Sequence, residues 1–440
     1  MVEMSLLLLL IMAERFHEWP HLGTPLITLA SVPLTVVKFV GIATVAAAIL
    51  DAPRRDSTPR VRGRLLVTFA LFAVIPTLAT ILAGDPFPTK AVSYLVSIAL
   101  MMFATRRLVS NQLRMKTVIR ALVAIVSLST FWAYKQRFIE HRAEYFVWGV
   151  SEDSNYEALS ILVVIPLALC VARLDPARRW RRLGVLGAVA MAGAVTLTES
   201  RGGVIGLASI VLGEFLSRRT ALYKSCVALA IAIAVLAAPS NLWRRMKSIQ
   251  ISGTAVNEAA ESTEVRWQVL IAGMHMIQAH PVFGVGLDEY KPLSVSYNDA
   301  LQGTHGNIAH NTYMQVAAEG GLVALGLFVA LMIMALRNCA TVRKFSEHSL
   351  GDLAAALKSS IIAYAIAAFF LSATYQVFYW LLITLSENLR DMMVAEVSSE
   401  ERRFATDAPN QKTLPSSSKV TESVDRSETW PGPSCNRAES

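Results

Sequence analysis

Charged side chains are scarce in this chain. Asp, Glu, Lys and Arg make up 17% of its 440 residues against 54% hydrophobic ones, too few polar groups to cover a soluble globule of that size. Lipid must cover the rest. Cysteine is scarce too: of four, Cys170 and Cys226 lie inside apolar blocks, Cys339 follows one and Cys435 is in a polar tail, so no disulfide framework is implied. The strict apolar and polar alternation of an outer-membrane barrel strand is missing. So are repetition at a fixed period and a matched pair of interrupted apolar segments in two halves, which counts against a transporter. The formal charge of +8 comes without an aromatic-interleaved basic surface, and nucleic acid is not expected as a partner.

What the chain does have is apolar blocks of helical length. They predict an all-α, polytopic transmembrane helical bundle of about twelve spans, at 4–13, 30–50, 65–83, 89–104, 118–134, 156–173, 182–198, 202–217, 221–238, 311–336, 358–372 and 374–387. The short apolar run from Leu6 to Met12 has no basic flank or clear cleavage site, and is expected to be a short first span. Arginine and lysine gather in alternate connections, at Arg54–Arg64, Arg106–Lys116, Arg173–Arg182, Arg218–Lys224 and Arg337–Lys344, which assigns those turns to the cytoplasm. The turn at Gly84–Thr89, the segment from Lys135 to Tyr156 and a long loop then face outward. The expected organisation is a bundle over 1–238, an extracytoplasmic loop over 239–310, C-terminal transmembrane helices over 311–387 and a disordered cytoplasmic tail over 388–440, rich in Ser, Pro and charge.

Three outward elements carry chemically suggestive residues. Thr198-Glu199-Ser200-Arg201-Gly202-Gly203 reads as a tight turn between two apolar blocks, reversed by its glycines. Arg201 is either one end of a snorkelling ion pair or a bidentate phosphate anchor. In the loop, Ser262 and Glu264 suit a helix start, and Trp267, Leu270, Ile271, Met274 and Ile277 share one face, so an amphipathic helix follows with Arg266 near its beginning. It stops at His280-Pro281, and the following Gly284-x-Gly286 reads as a turn, since it lacks the strand and lysine of a nucleotide fingerprint. His310-Asn311 then opens the run from Tyr313 to Leu336. His310 is either a helix cap or a general base that takes a proton near neutrality. Glu319, inside that run, carries an insertion cost of about 2.5–3.5 kcal/mol and must face the bundle interior or a polar partner.

His275, His280, His305 and His310 do not have the spacing of a helical zinc site, and no metal or cofactor is expected. Ser200 stands in no G-x-S-x-G.

The order S-R-G-G, then E-V-R-W, then H-P-V-F-G-V-G-L-D-E-Y, then H-N-T-Y-M-Q-V-A-A-E-G-G-L resembles the O-antigen ligase and polysaccharide polymerase family over about residues 150–340. Asp153-Ser154-Asn155-Tyr156 and the block ending in Ile165-Pro166-Leu167 look like that family's outward loop and following span. The resemblance implies a GT-C-like glycosyltransferase of a bacterial inner membrane with its active site facing the periplasm. It would move a glycan from an undecaprenyl-pyrophosphate carrier to an acceptor sugar or glycolipid with inversion and without a metal, with polysaccharide assembly proteins as further partners. By matched position Arg201 and Arg266 would hold the pyrophosphate and His310 would act as base or position the acceptor, with Glu319 in support. A flippase for lipid-linked glycans and a non-catalytic assembly component are the competing readings.

Overall fold

The computed structural model describes residues 2–15, 27–29, 32–50, 63–84, 88–138, 154–198, 200–217, 258–302, 306–346 and 348–407. The expected span at 221–238 and the expected loop as far as residue 257 lie outside these, as do Glu199 and His305.

The described residues are helical apart from short connections and an antiparallel pair of three-residue strands, Ile27–Leu29 and Val32–Leu34. The pair falls where a span was expected from residue 30. Pro33, which lacks an N–H and is disfavoured inside a helix, stands in the strand pair, and the helix starts only at Val36. In order the helices are α1 (Val2–Arg15), α2 (Val36–Leu50), α3 (Arg64–Ala83), α4 (Thr89–Leu108), α5 (Gln112–Phe138), α6 (Ser154–Leu162), α7 (Ile165–Leu174), α8 (Arg178–Leu197), α9 (Arg201–Ser217), α10 (Glu258–Ala279), α11 (Tyr290–Leu293), α12 (Thr312–Phe345), α13 (His348–Ala367) and α14 (Val377–Asp407). The expected span 156–173 is split into α6 and α7, because the ring of Pro166 excludes the carbonyl of Leu162 from the helix ladder.

Among the described residues, five stretches are long and apolar enough to cross a membrane: Arg64–Leu82, Thr89–Leu108, Asn155–Leu174, Thr312–Phe345 and Ser349–Ala367. Glu3–Ala13 and Val36–Leu50 are apolar but shorter. Helix α3 shows what its surface meets. Val67, Leu71, Val74, Leu78 and Leu82 are each at least half exposed and form one stripe, at the spacing of a helix face turned to an apolar solvent. The chain is thus a multi-pass helical membrane protein.

Inside, α12 packs against α3, α13 and α14 around an aromatic centre. Tyr364 and Tyr379 stack with ring centroids 3.6 Å apart, and Phe69 meets Trp380 edge to face at 4.7 Å. At the end of the bundle that holds Arg106, a polar clasp joins three helices. Arg106 donates to Asn388 Oδ1 at 2.8 Å and to Asp391 Oδ2 at 2.7 Å, and its Nε lies 3.2 Å from Glu387. The backbone N–H groups of Arg64 and Leu65 also donate to Glu387. Gly63 has no side chain to cap α3, so a carboxylate from α14 serves instead.

The C-terminal helices are displaced from the expected spans at 358–372 and 374–387. Helix α13 begins at His348 and ends at Ala367, and α14 continues to Asp407. The tail expected from residue 388 therefore starts as helix. Asn388, Leu389, Asp391, Met392 and Met393 are buried there, held by the Arg106 clasp that composition could not reveal.

Candidate functional site

Arg201 is the first residue of α9, directly after the connection from α8. Ser200 fixes this corner: its Oγ donates to Asn155 Oδ1 at 2.8 Å and accepts from the Gly203 N–H at 3.2 Å. Gly202 and Gly203 do not make the reversal. They lie in the first turn of α9 without a positive φ. Their lack of Cβ allows close packing: a Cβ on Gly202 would stand 2.9 Å from Phe370 Cβ, and one on Gly203 would stand 2.8 Å from Ala158 Cβ.

His310 adopts a left-handed conformation, φ 48, which costs a residue with a Cβ about 1–2 kcal/mol. It does not cap the helix that follows. Asn311 does, its Oδ1 accepting from the Met314 N–H at 3.0 Å. Thr312 then ties the start of α12 to the segment after α13: its N–H donates to Ala368 O at 2.8 Å, its hydroxyl donates to Leu371 O at 2.7 Å, and the same oxygen accepts from the Ala373 N–H at 3.0 Å. Gly202 faces Phe370 and Leu371 of this segment. Gly202, next to Arg201, and Thr312, two residues after His310, therefore approach the same short stretch of chain.

Arg266 is partly buried in the third turn of α10. Of the face expected to be apolar, Ile277 packs inward but Trp267 and Met274 are 59% and 49% exposed, whereas Val269, Ala272 and Met276 are buried. The inward residues form a small core with Val285, Tyr290, Leu301, Ala309 and Ala318, and Val265 and Met314 pack against it. Val265 precedes Arg266 and Ala309 precedes His310, so one cluster lies beneath both. Burial raises the Tyr290 phenol above its ordinary pKa, and the Glu319 charge adds to the effect. Its hydroxyl stays a donor, to Val269 O at 2.8 Å.

The segment after His280, expected to be a turn, is built into α12. That helix breaks at Gly321, with φ 70 and ψ −176, and the break frees carbonyls that the ladder would otherwise use. Val285 N–H donates to Ala318 O at 2.8 Å and Gly286 N–H to Glu319 O at 3.0 Å, while Leu322 N–H donates to Pro281 O at 2.8 Å. Gly284 and Gly286, with φ 73 and 114, give the loop its course. Leu287 N–H donates to Thr80 Oγ1 at 2.8 Å, which fastens the loop to α3. Glu319 is buried and accepts from Gln315 Nε2 at 3.2 Å. The backbone N–H groups of Asp288 and Tyr290 donate to its carboxylate. A narrow crevice beside it is lined by Phe72, Pro76, Leu95, Val316 and Tyr375.

Sequence reasoning gave no role to Thr80 or Tyr290 and read the paired glycines of the loop only as a turn. The four glycines at 284, 286, 320 and 321 were the available signal, as two backbones that approach this closely both need them. His275 is engaged structurally, with Nδ1 2.8 Å from Tyr297 O, and His280 is exposed.

These features define a multi-pass helical membrane protein whose suggestive residues lie at one end of the bundle and in the loop packed there. Residues 186–329, about a third of the chain, match the family model described as O-antigen ligase, and this match supports an O-antigen ligase-related membrane protein of the ligase and polymerase type. The match spans Arg201, Arg266, His310 and Glu319. No curated protein matches the chain.

Proposed function

We propose that this protein transfers a glycan from an undecaprenyl-pyrophosphate donor to a hydroxyl of an acceptor glycan or glycolipid at the periplasmic face of a bacterial inner membrane. The observation that carries the reading is the shared ground of its three elements: the neighbours of Arg201 and His310 contact the 367–373 segment, and the neighbours of His310 and Arg266 share one hydrophobic cluster. Arg201 and Arg266 hold the pyrophosphate, whose charge grows as it departs and which planar guanidinium groups match in pairs of hydrogen bonds. His310 takes the proton of the acceptor hydroxyl as its oxygen attacks the anomeric carbon. The bond from that carbon to the pyrophosphate oxygen breaks, the configuration inverts, and undecaprenyl pyrophosphate leaves.

Glu319 acts through the loop it holds. Its carboxylate anchors Asp288 and Tyr290, and Tyr290 in turn supports α10, the helix that carries Arg266. It is a positioning residue.

The test is transfer by purified protein in nanodiscs supplied with a lipid-linked glycan and an acceptor, followed by product size. Product that carries one donor unit marks a ligase, and a ladder marks a polymerase. Transfer at the wild-type rate by protein lacking the His310 imidazole would overturn the assignment.

A further inference from the structure

The segment after His280 belongs by sequence to an extracytoplasmic loop, yet its partners are residues within membrane spans. Pro281 O pairs with the Leu322 N–H, and the Leu287 N–H pairs with Thr80 Oγ1. Both spans have a basic residue at the opposite end from which depth can be counted. From Arg337 back to Leu322 is fifteen residues of α12, about 22 Å at 1.5 Å per residue. From Arg64 to Thr80 is sixteen residues of α3, about 24 Å, less whatever Pro76 removes by bending the helix. A hydrocarbon core is about 30 Å thick. Two independent rulers therefore place the partners of this segment short of the far boundary.

Irregular backbone at that depth is tolerated only where its polar groups are paired within protein, and four successive N–H groups of the segment are paired in this way. Gly284, Val285, Gly286 and Leu287 donate to His280 O, Ala318 O, Glu319 O and Thr80 Oγ1 respectively. Pro281 has no N–H to satisfy. What the segment leaves uncovered is apolar: Val282 and Phe283 are 50% and 57% exposed, beside Leu322 and Val323 at 54% and 39% on the surface of a span.

We propose that residues 281–287 form a re-entrant segment that dips into the leaflet opposite Arg64 and Arg337, with Val282 and Phe283 in contact with phospholipid acyl chains. The loop is thereby pinned at a fixed depth. Leu322 and Val323 continue the same surface on α12, so the occupant that covers them covers Val282 and Phe283 as well.

The wild-type chain in nanodiscs that contain a phospholipid with a diazirine on its acyl chain should, after irradiation, carry lipid adducts on Val282 and Phe283 as well as on Leu322 and Val323. The exposed residues Asp299, Ala300 and Gln302 should carry none. Adducts at 322–323 without any at 282–283 would overturn the proposal. As a second measurement, a nitroxide on Phe283→Cys, with Cys226 and Cys435 replaced by Ser, should collide several-fold more with oxygen than with an aqueous nickel chelate, relative to the same label on Gln302→Cys. Equal ratios at the two sites would overturn it. Neither readout depends on glycan transfer, so failure here leaves the proposed reaction standing.

Discussion

A Cβ on Gly321 would run into the carbonyl of Val282, so the break in α12 and the loop that fills it accept only glycine at this position. Gly321→Ala forces both a left-handed φ with extended ψ and a backbone overlap. The strain alone is worth about 1–3 kcal/mol. The expected outcome is a markedly lower melting temperature in detergent and reduced protein level. Gly326→Ala, on an exposed helical position with nothing within 4 Å, should be neutral or slightly stabilising.

His310 allows backbone and imidazole to be tested separately. Glycine accepts the left-handed φ of 48 without strain, so His310→Gly should melt at or slightly above the wild-type temperature while glycan transfer is abolished. His310→Ala should lose transfer and also some stability. Paired melting and transfer measurements check this; equal losses of stability in both variants would point to a packing role for the ring.

Replacement of the true cap should act on stability. Asn311→Ala removes the acceptor for the Met314 N–H and should cost about 1 kcal/mol, read as a lower melting temperature. Asn311→Asp should restore most of it.

For Glu319, a positioning role predicts rescue by shape. Glu319→Gln keeps an oxygen for the Asp288 and Tyr290 N–H groups and should retain most transfer with an unchanged pH profile. Glu319→Ala leaves those buried donors unpaired and should lose stability and transfer together. Loss of transfer in Glu319→Gln at full stability would instead make the carboxylate a direct participant.

At the opposite end, Asp175 and Arg120 predict a response to acid. Burial raises the Asp175 carboxyl, but the Arg120 guanidinium, donating to Oδ1 at 2.8 Å, and the Ala177 N–H outweigh it and hold the pKa below its ordinary value. A group lowered on folding contributes stability that is fully present above its unfolded pKa, about 3.9. The contribution is lost as pH falls through the lower folded value. Melting temperature should therefore drop more steeply below about pH 4 in the wild type than in Asp175→Asn. Trp180, under the Arg120 guanidinium at 5.5 Å, offers a fluorescence readout of the same pair.

Most helices were legible in the sequence because lipid demands unbroken apolar blocks, as Arg64–Ala83 and Thr89–Leu108 show. The errors have local causes. Pro33 stands in a block that hydropathy alone joins, and α14 extends beyond its apolar part because Arg106 pairs with acidic residues far along the chain. On α10 the apolar residues occupy two faces, and periodicity chose the outer one, with Trp267 and Met274. At the site, residue types and order were visible, but not the division of labour between His310 and Asn311. A left-handed residue before a cap leaves no compositional mark. The pairing of 281–287 with 318–322 was hidden for the same reason, as it runs through backbone atoms.

The aromatic centre carries a logistical consequence. Stacked Tyr364 and Tyr379, with Trp380, Phe328 and Phe69 around them, fill the described bundle where a conduit would run, and the Arg106 clasp shuts the end beneath. A lipid-borne sugar chain finds no room between these side chains. If it is the substrate, it must come sideways, drifting in the plane of the bilayer with its head group already on the reactive side. Bringing it across would then be the work of another machine, whose output sets the supply for this one.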